Sequence, residues 1–147
     1  MGSELDETLD GISAVFLDLD GTIYLGDSLI DGALGFLDRL EEKGVSRYFL
    51  SNNSSKSVGQ YVEKLRALGI RADEEEILLS THDLLSWLSS KGVERTFLVG
   101  TEGMRSMLEE KGIHSSSSDP EFVVLGYDTE ISYEKLSTAS IHLHNGV

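Results

Sequence analysis

Residues 12–19, ISAVFLDL, form a short apolar and β-branched run that leads into Asp18-Leu19-Asp20-Gly21-Thr22. A run of that length broken by glycine predicts a buried strand. Side chains two positions apart on a strand share a side, so the pattern aims the Asp18 and Asp20 carboxylates the same way at the strand's end. Two such carboxylates repel each other, and beside a buried strand they are expected to lack solvent. A fold keeps the pair mainly where a cation neutralises it or one carboxyl holds a proton. This one feature narrows the chain to folds that present chemistry at a strand terminus.

The rest of the chain supplies the frame for that strand. Residues 31–43 place Leu34, Leu37 and Leu40 on one helical face, with Gly44 as a stop. Residues 45–50 predict a second strand that ends at Ser51-Asn52-Asn53-Ser54-Ser55, residues 58–68 a helix closed by Gly69, and residues 76–79 a third strand. Strand and helix therefore alternate at the spacing of parallel βαβ units, whose crossovers are right-handed and whose ligands bind beyond the carboxyl ends of the strands. Both polar clusters fall at such ends. The alternation continues with a helix over 83–90 capped by Thr81, a strand over 96–99, a helix over 102–111 and a strand over 122–125. It closes with a helix over 132–144 capped by Ser132. Residues 115–118, four serines, read as a polar loop. No short-period repeat is present.

Composition excludes several classes of function. The chain has 147 residues, and 12 basic against 26 acidic residues give a net charge of −14. That field repels nucleic-acid phosphates, and no basic stripe offsets it. A phosphate ester entering the same field needs local positive charge, from a metal ion or from backbone amides. Cysteine is absent, which removes disulfides, thiolate metal sites and a thiol nucleophile. No run of apolar residues is long enough for a membrane span. The acidic opening reads as no signal peptide, and Asp6 stands where a myristoylation signal needs Ser or Thr. A cytoplasmic protein is the expectation.

The paired carboxylates suit phosphoryl transfer. One carboxylate can attack phosphorus to form an acyl phosphate while the other gives a proton to the leaving oxygen and later activates water. Mg²⁺ favours hard oxygen ligands, few of them from protein. Gly21 lets the backbone turn sharply near the phosphate. A surface Asp-rich turn competes with this reading, but the buried strand before Asp18 argues against it. A calcium loop would need Gly and Glu at its sixth and twelfth positions, where this chain has Ile23 and Leu29. A receiver-like phosphoacceptor also carries an Asp at a strand end, but the Asp-x-Asp-Gly-Thr spacing speaks against it.

VFLDLDGTIY resembles the first motif of haloacid dehalogenase-like hydrolases, and YFLSNNSS resembles their second. The Ser-Asn-Asn form, with IYLGDSLIDGA between the motifs, resembles the NagD-like and p-nitrophenyl phosphatase branch. VVLGYDTEISYEKLSTA resembles that branch's inserted cap. The resemblance implies an α/β fold, a Rossmann-like parallel sheet core over residues 1–79 and the beginning of an inserted α/β cap over 80–147, both incomplete. It implies a magnesium-dependent phosphatase of small phosphate esters that works through an aspartyl phosphate. Asp18 matches the nucleophile and a magnesium ligand. Asp20 matches the acid/base, and its carbonyl matches another magnesium contact. Ser51 matches the phosphate-binding hydroxyl, and Asn52 the neighbouring phosphate-binding amide. Asn53 is given at most a supporting role, and Ser54 and Ser55 read as turn or cap residues. The family's third-motif Lys and fourth-motif acids do not occur here, so the chain is expected to end inside the cap, to fall short of full activity alone, and to leave the first strand's edge open. An open edge is a route to a homo-oligomer. The implied partner is a small phosphorylated metabolite. The alternative is an inactive domain that binds phosphate or a partner.

Other residues carry less. His142 and His144, two apart, do not face together on a helix. Trp87 reads as packed with Leu84, Leu85 and Leu88. Tyr127 and Asp128 lie at a strand end, within reach of substrate, though a loop role is the stronger expectation.

Overall fold

The computed structural model describes residues 2–147, with side chains from Asp6 onward. The reading of the chain's opening at Met1 lies outside the described residues. In chain order the strands are β1 (Ala14–Asp18), β2 (Tyr24–Leu25), β3 (Ser28–Leu29), β4 (Ser46–Ser51), β5 (Ile77–Leu79), β6 (Thr96–Val99) and β7 (Phe122–Leu125). The helices are α1 (Gly2–Leu9), α2 (Ala33–Glu42), α3 (Val58–Ala67), α4 (Ser80–Ser90), α5 (Glu102–Glu110) and α6 (Tyr133–His144). The chain divides into two compact units, residues 1–51 with 62–78 and residues 52–61 with 79–147.

The first unit is built on a three-stranded sheet of order β1-β4-β5. β1 and β4 are parallel, with Ala14 opposite Ser46 and Asp18 opposite Leu50. Two strands that run the same way need a long crossover, and α2 supplies it. Its buried stripe is Ala33, Leu37 and Leu40, while Leu34 stays 41% exposed. The expected Leu34 stripe is thus shifted by one residue: a 33, 37, 40 spacing keeps a straighter line on a 3.6-residue helix. The core comprises Leu19, Tyr24, Leu37, Leu40, Phe49, Leu65 and Ile77, each at most 2% exposed. Ile12 lies outside β1 and is exposed. The β2–β3 hairpin turns through Gly26, whose φ of 59° suits glycine. Arg39 on α2 donates to the Asp6 carboxylate, and Lys43 to the carbonyl of Asp6 and the carboxylate of Asp10, which ties α1 to α2.

In the second unit β6 and β7 are parallel, Thr96 opposite Phe122 and Val99 opposite Leu125. Leu88, Val99, Met104, Leu108 and Ile113 form its core. The serine stretch is no free loop. Ser115 is buried, its carbonyl accepts from the Leu98 amide at 2.8 Å, and the Ser117 amide donates to the Thr96 carbonyl at 3.0 Å, so the stretch lines the edge of β6. Ser132 caps α6 as expected, its hydroxyl accepting from the Lys135 amide at 3.2 Å. Thr81 does not cap α4. The helix starts at Ser80, and the His82 ring accepts from the Leu79 amide at 3.3 Å. Trp87 is 45% exposed and meets Phe122 edge-on at 5.3 Å, so it flanks the core formed by Leu85 and Leu88 rather than filling it.

Candidate active site

Asp18 is the last residue of β1, and Ser51 is the last of the neighbouring parallel strand β4, one position beyond Asp18's partner Leu50. Parallel register therefore brings the predicted nucleophile and the predicted phosphate-binding hydroxyl to adjacent strand ends, where α/β sheets bind ligands. Ser51 is 7% exposed. Asp18 and Asp20 are both exposed, and Leu19 between them is fully buried. That alternation puts both carboxylates on the side away from the core, as the spacing predicted. The expectation that they lack solvent does not hold. The strand ends at the surface, so water shares the work of separating the two charges.

The turn after Asp20 is tight and well bonded. Gly21 has φ of 87°, a left-handed value that favours glycine, and its amide donates to the Tyr24 carbonyl at 2.7 Å. The Ile23 and Tyr24 amides both donate to the Leu19 carbonyl, at 3.0 and 3.2 Å. This winding carries Tyr24 back under Asp20. The Tyr24 ring is fully buried, and its hydroxyl donates to Asp20 Oδ2 at 3.4 Å. Lys64 Nζ sits 4.1 Å from the centre of the same ring, within cation–π range. Neither the contact of Tyr24 with Asp20 nor that of Lys64 with the Tyr24 ring was expected from the sequence. Tyr24 lies inside the GTIY motif with no local signal of its own, and nothing in the sequence connects Lys64 to it.

Among the described residues no group of three or more His, Asp and Glu side chains is placed to hold a metal ion. Two exposed carboxylates and a nearby main-chain carbonyl nevertheless form a donor set that Mg²⁺ suits. Mg²⁺ takes one or two carboxylates, keeps several waters, and shares phosphate oxygens. The His142 ring packs on Phe97 at 5.2 Å, and His144 is exposed.

Asn52 follows Ser51 and belongs to the second unit, where its carbonyl accepts from the Ser80 hydroxyl at 3.2 Å. Asn53 Oδ1 accepts from the Ser55 amide at 2.9 Å, an Asx turn that shapes the segment. Ser54 and Ser55 lie in a turn, one of the two roles expected of them, and cap no helix. Ser54 Oγ accepts from the Tyr127 amide at 2.8 Å, and the Ser55 carbonyl accepts from the Thr101 hydroxyl at 2.7 Å. Asp128 is a loop anchor. Its side chain is 2% exposed, and Lys135 Nζ bonds it at 3.1 Å while also reaching the Gly100 and Glu130 carbonyls at 2.8 and 3.1 Å.

Residues 15–114 match the family described as haloacid dehalogenase-like hydrolase. The chain belongs to that family. Solved chains described as a nagD protein and as p-nitrophenyl phosphatases are among those it resembles. The acid sugar phosphatase of Staphylococcus aureus is 36% identical over 135 residues, which cover 90% of this chain and 52% of the relative. The solved 4-nitrophenylphosphatase of Thermotoga maritima is 39% identical, with a TM-score of 0.85 over 94% of this chain and 53% of its own. NagD of E. coli K-12 shares the fold at 20% identity, with a TM-score of 0.80 over 92% of this chain and 54% of its own. The chain thus spans about half the length of the relatives it matches. Among the described residues no helix is long and apolar enough to cross a membrane.

Proposed function

We propose that this chain carries the nucleophile end of a magnesium-dependent phosphatase of small phosphate esters, acting in the cytoplasm. The observation that carries the reading is the β1–β4 register, which sets Asp18 beside Ser51 at neighbouring strand ends. The family membership and the phosphatase names of its relatives support it. In this reading residues 1–79 belong to the family's core and residues 80–147 to the start of its cap.

The chemistry follows from the residues. An Asp18 oxygen attacks phosphorus, the bond from phosphorus to the leaving oxygen breaks, and the proton on the Asp20 carboxyl passes to that oxygen. Asp20 then takes a proton from water, whose oxygen attacks the same phosphorus. The Asp18–phosphorus bond breaks, which frees inorganic phosphate and restores both side chains. The Ser51 hydroxyl and the Asn52 amide hold the phosphoryl oxygens. Asp18 and the Asp20 carbonyl would hold Mg²⁺, which would supply the charge neutralisation that eases attack by an anion on an anion. Tyr24 keeps the Asp20 carboxyl in place. Outside the site, Phe16 is 61% exposed on β1 at the sheet's end, a route to pairing with a second copy that size-exclusion chromatography reads.

Hydrolysis of p-nitrophenyl phosphate by the purified chain, with and without Mg²⁺ and beside Asp18→Asn, tests the reading. Metal-dependent release of nitrophenol that vanishes in the variant is expected. Release that is indifferent to Asp18→Asn would overturn it. A folded chain that binds phosphate without hydrolysis would favour the inactive binding module.

A further inference from the structure

Helix α4 sets His82, Leu85, Ser86 and Ser89 along one face, since residues three, four and seven positions apart are neighbours on a helix surface. Lys111 stands at the C-terminal end of α5, where its amide donates to the Leu108 carbonyl at 3.0 Å. These five residues line an open cavity of about 420 Å³, wholly within the second unit. That volume is in the range of small-molecule sites. Leu85 is 3% exposed and is the cavity's apolar patch.

Every polar side chain of this lining can donate a hydrogen bond. His82 Nδ1 accepts from the Leu79 amide at 3.3 Å, which leaves Nε2 to carry the ring proton. Among the described residues no hydrogen bond or ion pair engages the Lys111 ammonium or the Ser86 and Ser89 hydroxyls, whereas the neighbouring Ser90 hydroxyl donates to the Trp87 carbonyl at 2.7 Å. The chain has 26 acidic residues, yet none lines this cavity. An ammonium and three further donors with no carboxylate among them suit an anion.

We propose that the cavity between α4 and the end of α5 is a binding site for a small organic carboxylate. The single ammonium matches a single negative charge, and an ionised carboxylate is acceptor-only, as a ring of donors requires. Leu85 gives the hydrocarbon part an apolar contact, which an inorganic anion could not use. The site shares no residue with Asp18, Asp20, Ser51 or Asn52, so it stands independently of the phosphatase reading.

Titration of the nitrogen-15-labelled full chain with benzoate, at constant ionic strength and without Mg²⁺, tests it by amide chemical shifts. Saturable shifts at millimolar benzoate are expected at His82, Ser86, Ser89 and Lys111. Benzamide, the same ring without the charge, should bind roughly tenfold more weakly, and inorganic phosphate more weakly than benzoate. Lys111→Met should weaken benzoate by roughly tenfold, the span of one charge-assisted hydrogen bond. Lys91→Met makes the same change in net charge at a lysine outside the cavity lining and should stay close to the parent. The parent-like spectrum of each variant shows that its fold is kept. No saturable shifts at these residues, or benzoate binding that Lys111→Met leaves unchanged, would overturn the site. Phosphate or benzamide binding as tightly as benzoate would overturn its assignment to a carboxylate.

Discussion

Replacing Lys135 by Met removes the ammonium that joins Asp128 to the Gly100 and Glu130 carbonyls. The methionine keeps most of the stem volume, so the loss is mainly electrostatic. The Asp128 side chain is 2% exposed and would be left as a buried charge without its partner. Removing one member of a buried pair costs about 3–5 kcal/mol. Lys135 itself is 21% exposed, so water can enter where the ammonium stood, and the lower end, about 3 kcal/mol, is the expected loss. Trp87 is the chain's single tryptophan and lies in the second unit, so its fluorescence follows this unit's unfolding in urea. The midpoint should fall with little change in slope. Asp128→Asn combined with Lys135→Met should cost clearly less than the sum of the single changes, because no unpaired charge remains. A Lys135→Met loss below about 1 kcal/mol would mean that the pair behaves as a solvated surface pair, and the anchoring of Asp128 by Lys135 would be refuted.

Other consequences are as direct. Tyr24→Phe keeps the buried ring under Lys64 but deletes the hydroxyl that meets Asp20 at 3.4 Å; kcat for p-nitrophenyl phosphate should fall by about twofold with KM nearly unchanged, as for one long neutral hydrogen bond. Gly103→Ala would place a Cβ 2.9 Å from the Ser57 nitrogen and 3.2 Å from the Lys56 carbonyl carbon, main-chain atoms that cannot swing aside; despite alanine's better helix propensity, a net loss of about 1–2 kcal/mol in urea unfolding is expected. The Glu94 and Arg95 amides donate to Glu121 and hold its carboxyl below the ordinary glutamate value of 4.5. A lowered folded pKa means that its stabilisation is present above 4.5 and fades as pH falls through the lower folded value. Glu121→Gln should therefore flatten acid unfolding monitored below pH 4.5 and lower stability at neutral pH.

The local signals in the chain were strong where one principle governed. β6 and β7 fall at the residues their apolar runs mark, and Ser132 caps α6 because a serine before an amphipathic run has an amide to accept from. Signals failed where tertiary contacts decided. α1 is polar and acidic, and what pairs it with α2 is the reach of Arg39 and Lys43 to Asp6 and Asp10, residues more than thirty positions away. The four serines look like a loop until their main-chain bonds to β6 are seen. The strand-end positions of Asp18 and Ser51, and Asp20 beside its glycine turn, were legible because apolar runs broken by polar clusters mark them. Tyr24 and Lys64 were not, because a buried tyrosine and a helix lysine read as core and surface. Tyr127 and Asp128 are adjacent in sequence and look alike there. Only side-chain exposure separates the displayed ring from the buried anchor.

The central claim is that Asp18 accepts a phosphoryl group. Beryllofluoride adds to aspartates that do so and can be followed by fluorine NMR of the chain with Mg²⁺. The account predicts bound fluorine resonances that require Mg²⁺, persist in Asp20→Asn and vanish in Asp18→Asn. Bound resonances that survive Asp18→Asn, or none at all in the folded parent chain, would contradict it.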